Sequence, residues 1–201
     1  CRYSRPADSR DRFGNVSPKL GLLVDLSNQQ QLYVSLAQGF RAPQATELYR
    51  LQREQQVTQL DSEELLSAEI GLRGAAQGLT YELVAYQMHK DNVIFRDSDY
   101  FNVANGKTKH KGIELGVDAP LSETVSRATS ASYAEHRYDD VRGLGNNLID
   151  SAPRFFANTR LSWRPRKGLD IELEWIKQGA YYTDVDSQHT YPGHSLFNLH
   201  N

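Results

Sequence analysis

Gly112-Ile113-Glu114-Leu115-Gly116-Val117-Asp118-Ala119 decides the fold. Ile113, Leu115, Val117 and Ala119 share one parity, and Gly112, Glu114, Gly116 and Asp118 share the other. Successive side chains of a strand point to opposite faces, so this stretch is a ribbon with one apolar side and one polar side. The same alternation recurs on both sides of it. Leu20, Leu22, Val24 and Leu26 alternate with Lys19, Gly21 and Asp25, and after the polar turn Ser27–Gln30 come Leu32, Val34 and Leu36 against Tyr33, Ser35 and Ala37. Ala68, Ile70 and Leu72 oppose Glu69, Gly71 and Arg73; Phe155, Ala157, Leu161 and Trp163 oppose Arg154, Asn158, Arg160 and Ser162. Leu169, Ile171, Leu173 and Trp175 oppose Asp170, Glu172 and Glu174. In every one of these ribbons the charges keep to one parity.

Two segments are less regular. In Leu79 to Met88, Leu79, Tyr81 and Leu83 compete with Val84, Tyr86 and Met88 for the apolar side; Glu82 favours the first set, and a bulge would reconcile both. Val125 to Tyr138 is rich in Ser, Ala and Thr, so its apolar side is weak. Both read as strands. The count is eight strands and the start of a ninth from Ser195, which makes the chain all-β.

The joins carry a second pattern. Ser27–Gln30, Ala75–Gly78, Pro120–Thr124 and Arg164–Gly168 are short and rich in turn residues. Phe40–Asp61, Phe95–Gly106, Asp139–Ser151 and Thr183–Gly193 are long and polar, and long joins alternate with short ones. Up-and-down hairpins with every long loop at one end are the layout of an outer-membrane barrel, with tight periplasmic turns and long external loops. A soluble two-sheet protein has no reason to segregate its loops in this way, although periodicity alone fits it equally well.

Bulk composition points elsewhere. The 201 residues are 24% charged with a net charge of -2, and the mean hydropathy is -0.62. No run reaches the roughly 18 apolar residues of a spanning helix. A barrel strand averages out as hydrophilic, because its lumen side is polar, so the composition does not exclude the membrane. A sequence pI near 6.3 offers no basic field for nucleic acid. Cys1 is the only cysteine, so no disulfide or multi-cysteine metal site forms within the chain. A break in a longer chain explains a cysteine at that position better than a lipid-modified start does.

The chain resembles the TonB-dependent outer-membrane receptors. Gly39-Phe40-Arg41-Ala42-Pro43 with Glu47-Leu48-Tyr49 is similar to the family's "GFRAP…EL" signature at a strand exit. Glu69-Ile70-Gly71-Leu72-Arg73-Gly74 resembles its "E-x-G-x-[RK]-G" strand. Tyr86 with Asp91-Asn92-Val93-Ile94, Asn105-Gly106-Lys107 before Gly112-Ile113-Glu114, Ala152-Pro153-Arg154, and Tyr191-Pro192-Gly193 follow in the family's order. Leu60-Asp61-Ser62-Glu63 departs from it, since many members carry a proline before that glutamate. The resemblance implies that residues 1–201 are part of one transmembrane β-barrel domain of 22 strands. The plug, the energy-coupling box, the earlier strands and the last strand would lie outside this stretch. It implies import of iron–siderophore, haem or similar nutrients across the outer membrane of a Gram-negative bacterium, energised by the TonB protein through the plug. A passive porin-like channel and a soluble all-β binding module remain the alternatives.

Such a receptor is not an enzyme and needs no cofactor; it needs a recognising external surface. Arg41, Tyr49, Arg50 and Arg53 in the first long loop suit anionic, aromatic ferric chelates, while any external loop is also polar and charged. His89, His110, His136, His189, His194 and His200 show no ligand spacing, so they are expected as solvated loop histidines and no metal site is assigned. Asp97-Ser98-Asp99 lacks the glycine and distal glutamate of a calcium loop. Tyr81, Tyr86, Trp163, Trp175, Tyr181 and Tyr182 are candidates for aromatic belts, Trp163 the best of them.

Overall fold

Nine strands form one antiparallel sheet in which each is hydrogen-bonded to its neighbours in the chain. They are β1 (Lys19–Ser27), β2 (Gln30–Arg41), β3 (Glu63–Ala76), β4 (Leu79–Arg96), β5 (Asn102–Pro120), β6 (Val125–Tyr138), β7 (Phe155–Arg166), β8 (Leu169–Gln178) and β9 (His194–His200). The computed structural model describes residues 3–4, 7–49, 51–52, 60–96, 102–141 and 143–201. Two-residue ladders, Tyr3–Ser4 with Leu51–Gln52 and Tyr181–Tyr182 with Thr190–Tyr191, lie apart from the sheet. The meander and its strand count are those expected from the alternation. β1 and β9 are the sheet's edges, so it is an open wall and not a closed barrel.

Register joins the apolar parities into continuous rows. Leu22, Val34, Ile70, Ala85, Ile113, Tyr133 and Phe155 are successive partners across seven strands. One step towards the short turns, Val24, Leu32, Leu72, Leu83, Leu115, Ala131 and Ala157 do the same. These rows meet no second protein layer among the described residues. Leu22 is 61% exposed and Ile113 54%, and no described side chain is fully buried. A soluble sheet would cover such a face, because several hundred Å² of contiguous apolar surface is unfavourable in water. Hydrocarbon removes that penalty, and the opposite face, which carries Glu69, Glu114 and Asp118, then meets a hydrated lumen.

The irregular strand β4 resolves without a bulge over its first half. Leu83 pairs with Leu72 and Leu115, which puts Leu79, Tyr81 and Leu83 outward and Val84, Tyr86 and Met88 inward. Room for the inward set comes from glycines on the partner strands. Tyr86 lies across Gly112, where a Cβ would come within 2.6 Å of its hydroxyl. Tyr33 lies across Gly71 in the same way, with its hydroxyl 3.4 Å from Glu82. Tyr86 therefore faces the lumen and does not belong to an aromatic belt. Trp163, outward and 46% exposed beside the short turn, does fit one. The weak strand β6 is regular, and the charges on its apolar parity lie towards its two ends: Arg127, opposite Ala119 and Leu161, beside the short turn, and Glu135 and Arg137, opposite Lys111 and Lys109, at the long-loop end.

Short turns close one end. Gln77 (φ 51°) and Gly78 (φ 84°) make the two-residue turn between β3 and β4, a geometry that needs left-handed backbone at both positions. At the other end β4 and β5 run farther than expected. The sequence predicts a loop over Phe95–Gly106, whereas strand continues to Arg96 and resumes at Asn102. Register shifts between Lys90 and Phe95, with Asn92 and Asn105 in left-handed backbone, bend this extension beyond the apolar band. The segment after β6 folds back onto its parent strand, with Tyr138 N–H on Asn147 O at 2.9 Å and Ile149 N–H on His136 O at 2.9 Å.

Candidate functional site at the external mouth

The long-loop end of the inward face gathers polar groups that the strands below deliver by parity. Arg41 is the last residue of β2 and stands opposite Glu63, the first of β3. Its Nε and Nη2 donate to Glu63 at 2.9 and 2.6 Å, and its Nη1 and Nη2 donate to Glu47 at 3.0 and 3.1 Å. Glu47 lies in α1 (Ala45–Tyr49), a short helix within a stretch expected as loop. Its carboxylate also accepts the Gln44 N–H at 2.7 Å, closing the first turn. One guanidinium thus ties two strands and the loop helix together, which gives the "GFRAP…EL" spacing a physical purpose. Bidentate arginine–carboxylate pairs are strong and geometrically specific.

Glu63 is the hub. It is 6% exposed, accepts the Ile94 N–H at 2.9 Å and has Lys90 Nζ at 3.8 Å. Burial alone would raise its pKa, but the hydrogen bonds from Arg41 and Ile94 and the charges of Arg41 and Lys90 hold the carboxyl below the ordinary range. Arg41 is in turn made more basic, chiefly by its bonds to Glu63 and Glu47.

Beside this cluster, Lys90 pairs with Thr108, two residues before His110 on β5. His110 faces His136 of β6 with their Nδ1 atoms 2.8 Å apart and ring centroids 5.0 Å apart. Thr108 Oγ1 is 2.9 Å from the Nε2 of His110. These histidines are half-buried strand residues, not the solvated loop histidines the sequence suggested. The signal was present in the hairpin: His110 and His136 are equidistant from Glu123 in the short turn, and a hairpin pairs equidistant residues. Burial, then His136 and the charges of Lys90 and His89, pushes His110 down to about 4. Burial also lowers His136. Both rings are neutral at pH 7.

The remaining sequence candidates are dispersed. The Tyr49 hydroxyl donates to Asp11. Arg50 and Arg53 lie outside the described residues. Among the described residues no three His, Cys, Asp or Glu side chains converge as a metal cluster. A concavity of about 890 Å³ lies at the opposite end of the inward face, lined by Asp25, Gln31, Arg73, Glu82 and Asp118. It is a stretch of polar lumen wall, cross-braced by Arg73 to Gln31 at 3.1 Å and Gln31 to Asp25 at 2.8 Å.

Known proteins share this architecture. A family model described as TonB dependent receptor-like, beta-barrel matches residues 2–200. The ferric-pyoverdine BN7/BN8 receptor of Pseudomonas putida is 25% identical over 188 residues, which are 86% of this chain and 22% of that protein. The solved ferric citrate transporter FecA superimposes with a TM-score of 0.78 at 19% identity, over 91% of this chain and 30% of FecA. The ferric yersiniabactin uptake receptor FyuA from Yersinia pestis gives 0.75 at 16% identity, over 90% of this chain and 28% of its own. The chain therefore spans less than a third of the length of these relatives. With a lipid-ready outer face, a polar inner face and a family model that fits nearly end to end, the chain belongs to the TonB-dependent receptor-like β-barrel family, whose members are receptors and not enzymes.

Proposed function

We propose that this chain is nine consecutive strands of an outer-membrane receptor for a ferric siderophore, taken up with energy delivered by TonB through a plug. Strands outside this stretch would close the barrel, to 22 in the family's usual form, and the plug would fill it. One observation carries the reading: Arg41, Glu47 and Glu63 lock the first long loop to the lumen rim. A loop fixed there can hold side chains over the channel mouth, as a receptor requires and a passive pore does not. In this arrangement Arg41 anchors the loop, and Tyr49, Arg50 and Arg53 supply hydrogen-bonding, cationic and aromatic contacts to an anionic ferric chelate. The name of the Pseudomonas putida relative supports a siderophore over haem as the cargo. It does not specify which one.

The test is uptake of radioactive iron, delivered as defined ferric siderophores or as haem, by cells whose only iron receptor is the complete protein. Uptake of a siderophore that stops when TonB is deleted, and falls in an R50A/R53A variant present in the outer membrane at normal level, is the expected result. Uptake that persists without TonB would establish a passive channel, and uptake of haem alone would replace the cargo.

A further inference from the structure

We infer that His110 and His136 form a two-imidazole site for a borderline divalent transition-metal ion, copper(II) above all, on the inner wall of the external mouth. The inference is independent of the siderophore reading, which assigns these residues nothing.

The geometry comes first. The two residues are directly opposite on adjacent antiparallel strands, on the lumen parity. Their Nδ1 atoms are 2.8 Å apart. Two imidazole nitrogens at roughly 2.0–2.1 Å from one ion, at right angles to each other, are themselves about 2.9 Å apart. The separation thus matches the bite of a cis pair, and an ion seated to one side of the line between the two nitrogens, with the rings tilted towards it, displaces the proton now held between them.

The other ring nitrogen of His110 supports the same conclusion. Thr108, 5% exposed, holds its Oγ1 2.9 Å from the Nε2 of His110. With Nε2–H donated to that oxygen, the Nδ1 lone pair of His110 is directed at His136. Ligating histidines are normally oriented by such a bond from the other ring nitrogen. Lys90, the strand partner of Thr108, is drawn towards Glu63 at 3.8 Å. Two nitrogens leave the remaining positions to water or to a ligand in the lumen. Neutral imidazoles without a carboxylate or thiolate favour copper(II) over the other divalent first-row ions and suit zinc next.

The test uses the complete receptor in detergent, stripped with EDTA and titrated at pH 7.5 with copper sulfate or zinc chloride. The wild type should bind one more copper(II) than H110A or H136A, with an electron paramagnetic resonance spectrum split by two nitrogens. T108V should weaken that binding about 10- to 100-fold, and H89A, on the other face of the wall, should leave it unchanged. If a histidine variant fails to assemble, copper protection of wild-type His110 and His136 from diethylpyrocarbonate, read by mass spectrometry, serves instead. Joint protection of the two supports the site. Equal copper binding by the wild type and both histidine variants, or no protection, overturns it.

Discussion

Arginine at position 115 should block membrane assembly, while arginine at position 114 should not. Leu115 is outward between Leu83 and Ala131 and 40% exposed. It lies five residues from Pro120, where β5 meets its short turn. At about 3.4 Å per residue and a tilt near 40°, that is roughly 13 Å into an apolar band about 25 Å tall, close to its midplane. Arginine there costs about 2–4 kcal/mol, which is a roughly 30- to 700-fold loss in the folded-to-unfolded ratio at about 1.4 kcal/mol per decade. Glu114, one residue away, faces the hydrated lumen and keeps its side chain in water when changed. The assay is the amount of heat-modifiable receptor recovered from outer membranes, followed by equilibrium guanidinium unfolding of both variants in lipid vesicles. L115R should be depleted and E114R should stay within about 0.5 kcal/mol of the parent, as surface changes usually do. Equal losses at the two positions, or a larger loss for E114R, would mean that the apolar rows do not meet hydrocarbon.

Arg127 is the native counterpart of that experiment. It is outward but only two residues from the start of β6, about 5 Å from the band edge by the same geometry, where the cost falls to about 0–1 kcal/mol. R127L should therefore stabilise the barrel by no more than about 1 kcal/mol in vesicle unfolding, and a destabilisation would place the band edge elsewhere. Valine at Gly112 collides with Tyr86, so G112V should cost about 1–3 kcal/mol and Y86A should relieve most of it in a double-mutant cycle; additive losses would refute the close approach. For Glu63 the folded pKa lies below the ordinary value. Its stabilisation is therefore present above about pH 4.3 and fades as the pH falls through the lowered value. E63Q at pH 7 should raise amide exchange of residues 42–49 in the way that acid does for the wild type, after correction for intrinsic rates. Unchanged exchange would show that Arg41 does not hold the loop.

The outward face was legible in the sequence because one physical term writes it. Lipid rejects charge position by position, so Leu20 to Leu26 or Ile113 to Ala119 can be read without knowing any partner strand. Where that term weakens, so does the reading. Val125–Tyr138 carries small residues because Ala131 and Thr129 pack beside Leu115 and Val117, and Arg127 is tolerated near the edge. The ends of β4 and β5 were missed for the same reason. Beyond the band no solvation difference separates a paired strand from a loop, and left-handed asparagines at 92 and 105 looked like turn residues.

The inward face obeys another logic, because water accepts almost any polar side chain and its composition is therefore set by cross-strand partners. Tyr86 looks like a belt aromatic until Gly112 is known to lie beneath it. Arg41 looks like a free loop cation until Glu47 and Glu63 are seen to saturate it. His110 and His136 look unrelated at a separation of 26 residues until the hairpin register aligns them. Each of these follows from adding the pairing to the alternation. A hairpin closed at a known short turn predicts its lumen pairs as firmly as parity predicts its lipid face. What stays unreadable is the long loops, whose positions depend on single contacts such as Arg41 to Glu47, with no repeating pattern behind them. The position of the first long loop is thus assigned by individual ion pairs, whereas the lipid-facing side of the wall is assigned by a solvation rule applied at every strand, and the two will tolerate substitution very differently.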